Sequence, residues 1–474
     1  MRRTIGHGKV AVVVSLAVSI FVIPNVRATA APQVVWHSSF DFEARADRAT
    51  TSAASPDGST IVVTGTSRPQ GGGKADVGTV AFATSDGSVR WADAVGSPAR
   101  NDASSGVAIS PDGGMTAVTG LSHRRDGKRM WRTIAYSTTD GSRIWRSAFR
   151  LRRTSMAAPQ GVFVGTDTVL VVGNVVRRSP GPNPIPVVVV AYDRSDGSER
   201  WTKQIEPRRY PKATPGAILH SSAYDPVRGM LYLGLQVDET LTQNSMGVLA
   251  IASSDGARLW RSWFVSPTGE EGAHPTAIAV AGDGSTVYLG GSFNNALRFV
   301  LAFATSDGSL AWSSEVTKNR AQSGLDVLSV SPRGSRIFGA GSRALTPGEP
   351  ADGLLTFSLG AEAGPVRWKK TYGSGNETVQ ARDLAVSPDG STVYVTASKE
   401  AVFTDPDFYL GPADILTVAY DARSGSLLWS AVRGGSGSDE FPVSVDVASG
   451  RVIVCGTTAH RDTFADLTCL AYAG

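Results

Sequence analysis

The chain has 474 residues, 46 Lys and Arg against 42 Asp and Glu, 52 glycines and two cysteines. Its formal net charge of +4 comes from the first 30 positions, where Arg2, Arg3, Lys9 and Arg27 face no acid. The remainder is electrically balanced, which removes the compositional basis for a general affinity for nucleic acid.

In chain order, the first element is an export signal. Arg2, Arg3 and Lys9 precede an apolar run over 10–23, and small residues at 28–30 supply a cleavage pattern, with the cut near Ala30. The run is shorter than the about 20 residues a membrane span needs, so an uncleaved anchor is the lesser alternative. The Arg2-Arg3 pair also fits a twin-arginine signal, and no cysteine near the cut offers a lipid anchor. We therefore expect a signal peptide at 1–30, one domain over 31–474, and a secreted, extracellular protein with no stable membrane span.

Residues 85–91 read SDGSVRW, a glycine followed four positions later by tryptophan. The same gap separates Gly141 from Trp145, Gly197 from Trp201, Gly256 from Trp260, Gly308 from Trp312, Gly364 from Trp368 and Gly425 from Trp429. Equal gaps of this kind define a repeat. Between tryptophans the chain keeps one order: a loop, a run such as GVAISPDGGMTAVTG, a polar loop, then a run such as TIAYSTTDGSRIW. Short runs rich in Val, Ala, Ile and Tyr, bounded by Gly, Asp, Pro and Ser, predict antiparallel strands, here lettered A to D with tryptophan on D. A period of 52 to 61 residues and four strands per unit predict an all-β propeller.

Eight A-B-C modules are expected to start near Ser52, Gly106, Gly161, Ala217, Thr276, Asp326, Leu384 and Val443. The last ends at LTCLAYAG without a D strand, while QVVWHSSF at 33–40 carries Trp36 without a preceding turn. Pairing 33–40 with 467–474 closes an eight-bladed ring and removes its edge. Seven blades or a split arrangement are lesser alternatives. The Asp-Gly pair makes the C–D turn, where glycine tolerates positive φ. The tryptophans Trp36, Trp91, Trp145, Trp201, Trp260, Trp312, Trp368 and Trp429 are expected to fill the gaps between blades.

The phrases AYDARSGSLLW at 419–429 and AYDRSDGSERW at 191–201 resemble the repeat of pyrroloquinoline-quinone (PQQ) dehydrogenase-like propellers. The stretch LLWSAVRGGSGSDEFPVSVDVASGRVIVCGTT is similar to the bacterial SBBP-type propeller repeat, and SPDGSTVYVT to a phrase common in extracellular propellers. The resemblance covers nearly all of 31–474 and implies the fold; propellers host unrelated activities. PQQ enzymes carry a disulfide between adjacent cysteines, calcium-binding side chains and a catalytic Asp, and this chain has no Cys-Cys pair. Cys455 and Cys469 fall on the expected B and C strands of blade eight and suit a cross-strand disulfide.

The topology separates short A–B and C–D turns on one face from variable B–C and D–A loops on the other, where function tends to sit. The loop face carries a basic sector that includes Arg124, Arg125, Arg152, Arg153, Arg178, Arg208 and Arg209, and an acidic sector from later blades. The arginines suit bidentate capture of phosphate or carboxylate; the alternative is that they solvate a loop-rich face. Asp47, Asp102, Glu271, Glu377 and Glu440 sit at similar places in the D–A loops, as calcium ligands or acid–base groups, or more simply as acceptors for backbone N–H at the start of strand A. His220 is expected to face the channel, and the histidines have no metal-ligand spacing. These features lead us to expect a monomeric, noncatalytic binding propeller that takes an extracellular protein, an anionic small molecule or a glycan on its loop face. No cofactor or metal is expected, calcium and PQQ being the lesser cases. The alternative function is a lyase or hydrolase at the channel mouth, and then a PQQ-dependent dehydrogenase.

Overall fold

The computed structural model describes residues 30, 32–42, 45–69, 73–97, 100–151, 154–177, 187–205, 217–238, 244–265, 272–293, 297–317, 324–343, 353–373, 377–401, 413–434, 438–460 and 465–473. The export signal expected over 1–30 lies outside these residues except for Ala30. No helix among them is long and apolar enough to cross a membrane.

The alternation of turn-forming and β-branched residues builds eight four-stranded antiparallel sheets, each running A to D outward from a central channel. Blade 1 comprises Arg45–Ala54, Thr60–Pro69, Asp76–Ala83 and Val89–Val95. The innermost strands of blades 2 to 8 are Ala103–Ile109, Thr154–Val164, Ala217–Asp225, Ala273–Val280, Val327–Val330, Glu377–Val386 and Ser438–Ala448. Several begin upstream of their expected starts, at Arg45 rather than Ser52 and at Glu377 rather than Leu384. The cause is a β-bulge. In blade 1 the register slips between Ala49 and Thr51, and in blade 7 between Ala381 and Asp383, so residues before the slip also pair with strand B.

The ring closes as the sequence predicts. Val34–Phe40 pairs antiparallel with Ala465–Ala473, Trp36 opposite Ala471 and Phe40 opposite Leu467. It becomes the D strand of blade 8. Cys455 and Cys469 stand directly opposite on strands B and C of that blade and form a disulfide across 14 positions of sequence. A C455A/C469A variant should lose about 2–4 kcal/mol, read from the urea midpoint. A midpoint equal to that of the wild type would leave the bond no share in stability.

The core lies between blades. Trp36, Ile61, Val63, Ile453, Cys455 and Leu467 form one cluster between blades 8 and 1, and Val62, Trp91, Val118 and Ile134 another between blades 1 and 2. The repeated phrase works across these interfaces. Trp91 donates its indole N–H to the Thr138 carbonyl at 2.8 Å, and Trp260 to the Thr305 carbonyl at 2.7 Å, each at the C–D turn of the next blade. A Cβ added to Gly141 would lie 2.5 Å from the Trp91 ring. The same relation links Gly87 to Trp36, Gly197 to Trp145, Gly256 to Trp201, Gly308 to Trp260, Gly364 to Trp312 and Gly425 to Trp368. The turn glycine thus serves two ends, positive φ and room for the neighbouring indole.

Candidate functional site

One candidate on the loop face lies at blade 2. Strands Met115–His123 and Arg129–Ser137 are joined by a tight turn in which the Arg124 amide donates to Lys128 and the Gly127 amide to Arg124, with Gly127 at a φ of 76°. This turn carries Arg124 and Arg125 at its exposed tip. Behind it, Asp102 is fully buried. Its carboxylate accepts the Ser122 hydroxyl at 2.7 Å, the His123 amide at 3.1 Å and the Arg132 guanidinium at 3.3 Å, with His123 Nδ1 at 3.4 Å. Burial pushes the Asp102 carboxyl up, opposed by Ser122, Arg132 and His123. Desolvation in turn holds the Arg132 guanidinium below its ordinary value.

These groups border a cavity of about 490 Å³ whose charged lining is His123, Arg124, Arg125, Asp126, Arg132 and Arg146. Asp126 is its one lining acid outside the buried network, and it pairs with Lys128 at 3.2 Å and Arg124 at 3.7 Å. Arg125 and Arg146 make no ion pair among the described residues. The arrangement is cationic, partly enclosed and suited to a carboxylate or another anion.

The channel holds a second set of titratable groups in a cavity of about 370 Å³ lined by the inner strands. His220 faces it, as expected. Its Nε2 lies 3.0 Å from Gln236 Oε1 and its ring packs edge-on to His274, with burial holding the imidazole below its ordinary value. Asp383 accepts the Val445 amide of blade 8 at 2.9 Å and the Leu384 amide at 2.8 Å. Enclosure, then the charge of Asp446, pushes its carboxyl up to about 7. Asp446 accepts the Ser52 hydroxyl of blade 1 at 3.2 Å and is pushed up to about 6 by enclosure. Both residues are half-buried. Asp326 accepts the amide and hydroxyl of Ser342, each at 3.2 Å. No group of three His, Cys, Asp or Glu placed to hold a metal occurs among the described residues.

Of the residues singled out from sequence, Arg124 and Arg125 meet at the blade 2 cavity. Arg152, Arg153, Arg178, Arg208, Arg209 and Glu271 lie outside the described residues, as does the side chain of Glu377. Glu440 is buried, its Oε1 3.9 Å from Arg433 Nε. Asp47 is buried and accepts the Phe42 amide at 2.8 Å, and burial pushes it up to about 6. Asp47 and Asp102 do bind backbone N–H, but at Phe42 in the loop before strand A and at His123 closing strand B. Arg132 and Arg146 sit inside strands, directly after Trp131 and Trp145, where the sequence carries no loop signal.

The fold and repeats place the chain among PQQ-like propellers. A sequence profile described as outer membrane protein assembly factor BamB matches residues 25–228 and 132–340, so the chain belongs to that PQQ-repeat family. No protein of curated function matches it significantly. Among solved structures it is similar to the quinohemoprotein alcohol dehydrogenase of Comamonas testosteroni, at 13% identity and a TM-score of 0.54 over 92% of this chain and 76% of that one. The quinohemoprotein alcohol dehydrogenase ADHIIG of Pseudomonas putida HK5 matches at 15% identity and a TM-score of 0.51 over 94% of this chain and 76% of that one. The C-terminal WD40 domain of Sif2 matches at 8% identity and a TM-score of 0.56 over 94% and 99%. At such identities the likeness is one of fold. Family and disulfide together point to an extracellular or periplasmic setting. The disulfide here joins facing strands inside blade 8, so these cysteines do not supply the adjacent-cysteine feature of a quinone site.

Proposed function

We propose that this is a secreted binding propeller, free of quinone and metal, which holds a carboxylate-bearing partner in the arginine cavity of blade 2. The observation that carries this reading is the convergence of Arg124, Arg125, Arg132 and Arg146 on one cavity. A catalytic reading would want acids and histidines poised together. Here Asp102 is tied to Ser122 and Arg132, Asp383 to blade 8, Asp446 to blade 1 and His220 to Gln236. Asp102 and His220 are held by local partners, and Asp383 and Asp446, which sense each other's charge, each accept a donor from a neighbouring blade; the arginine cavity is the site that supports recognition. The name of the matching family, an outer membrane protein assembly factor, is compatible with a protein partner.

Poly-L-glutamate is a direct probe. The wild type should bind it in low salt and release it as ionic strength rises, because partly exposed charges are screened beyond about 10 Å at 0.1 M. R125E/R146E reverses two cations that no described acid holds. It should weaken binding at least tenfold by calorimetry, about 1.4 kcal/mol, with its melting temperature retained. Equal affinity in the variant would refute the reading.

A further inference from the structure

A third cavity, of about 730 Å³, opens at the loop-face end of blades 7, 8 and 1, around the seam where the ring closes. Three blades build it. Blade 1 supplies Arg48 and Arg68. In the ladder Arg48 stands opposite Thr66 and Ala46 opposite Arg68, so all four share one face of the sheet. Arg48 and Arg68 are exposed and make no ion pair among the described residues. Blade 7 supplies Arg382, whose Nε donates to Ser398 Oγ at 2.9 Å and so orients the side chain.

The wall between the arginines is apolar. Phe441 pairs with Thr457 and Ala459 with Ala465 in blade 8, which places Phe441, Ala459 and Ala465 on one sheet face. The acids at the cavity are Glu400 and Asp47. Asp47 is buried, with its Oδ2 accepting the Phe42 amide. Three guanidiniums therefore face one accessible carboxylate across a partly enclosed space with an apolar side. A volume of this order is that of a small-molecule site, and arginine matches the carboxylate fork more closely than any other side chain.

We infer that the seam cavity binds a small amphipathic carboxylate, its anionic head between Arg48, Arg68 and Arg382 and its apolar body against Phe441 and the alanines. This site shares no residue with the blade 2 cavity, and the inference does not depend on the function proposed above.

The test is calorimetric titration of the full chain with 1-naphthoate, and with the neutral 1-naphthamide as its isostere. Saturable one-to-one binding of naphthoate is expected, at least tenfold tighter than that of the amide. R48A/R68A should weaken naphthoate at least tenfold. A46W, at an exposed position, fills the cavity and should abolish binding while circular dichroism and melting temperature stay at wild-type values. R125E/R146E should bind naphthoate as the wild type does. Absence of saturable binding, equal binding of amide and acid, wild-type affinity in R48A/R68A, or loss in R125E/R146E would each overturn the assignment.

Discussion

Alanine at Gly141 will destabilise the propeller by about 2–5 kcal/mol, beyond an ordinary turn substitution. Gly141 has a φ of 72°, a region that costs an L-residue about 1–2 kcal/mol. Its new Cβ would also lie 2.5 Å from Trp91 Cδ2, forcing the indole out of the next interface at an overpacking cost of about 1–3 kcal/mol. Gly334 offers the matched control. It has a φ of 70° but nothing within 4 Å of its Cβ position. G334A should therefore show the backbone cost alone, and the difference between the two urea midpoints measures the interlock. Equal losses would mean that the indole relaxes freely and that spacing between glycine and tryptophan serves only the turn.

Acidification from pH 8 to pH 5 will raise the melting temperature. Asp383, at about 7, and Asp446 and Asp47, at about 6, hold their protons more tightly in the folded chain than the usual carboxylate value of 3.8. Between about pH 4 and pH 7 the folded state thus binds more protons than the unfolded state, and stability falls as pH rises through that window. The turn-face aspartates act in the opposite sense. Asp389 is held down to about 2 by the hydroxyls and amide of Ser387 and Ser391, so its contribution is complete above the unfolded value and lost only as pH falls toward 2. The two sets place maximal stability near pH 4–5. In D446N the carboxamide oxygen can still accept the Ser52 hydroxyl, while the neighbouring Asp383 loses a repulsive charge. The variant should melt about 2–4 °C higher at pH 8 and show a flatter pH profile. A wild-type melting temperature independent of pH from 5 to 8 would rule out the linkage.

Eight blades and the terminal closure were legible because the code for them is local: a turn, a glycine, and a tryptophan at a fixed distance. Its physical meaning was only half legible. The spacing Gly141 to Trp145 lies within one blade, whereas the contact that matters joins Gly141 to Trp91 of the blade before. The bulged starts of the inner strands were hidden, since no residue type marks the slip between Ala49 and Thr51. The sites were less legible still. Arg124 and Arg125 stood out as a loop pair, but Arg132 and Arg146 join them only through strand pairing. At the seam, Arg48, Arg68 and Arg382 come from opposite ends of the sequence, and only ring closure brings them to one cavity. Asp383 and Asp446 look like ordinary strand acids until three blades enclose them.

The seam also fixes an order of events. Val34–Phe40 is the earliest-made strand of the ring, and its partner Ala465–Ala473 is the last. A chain delivered N-terminus first carries that strand unpaired until the last blade has appeared, with Trp36, buried in the finished ring, still bare. Pairing over such a separation is slow, because the closure entropy must be met before any contact rewards it. The Cys455–Cys469 bond lies within the late-made hairpin and needs no contact with the first strand to form. Oxidation can thus prepare a rigid landing edge before the ring shuts, and the time between the two steps is when this protein is most exposed to pairing with another copy of itself.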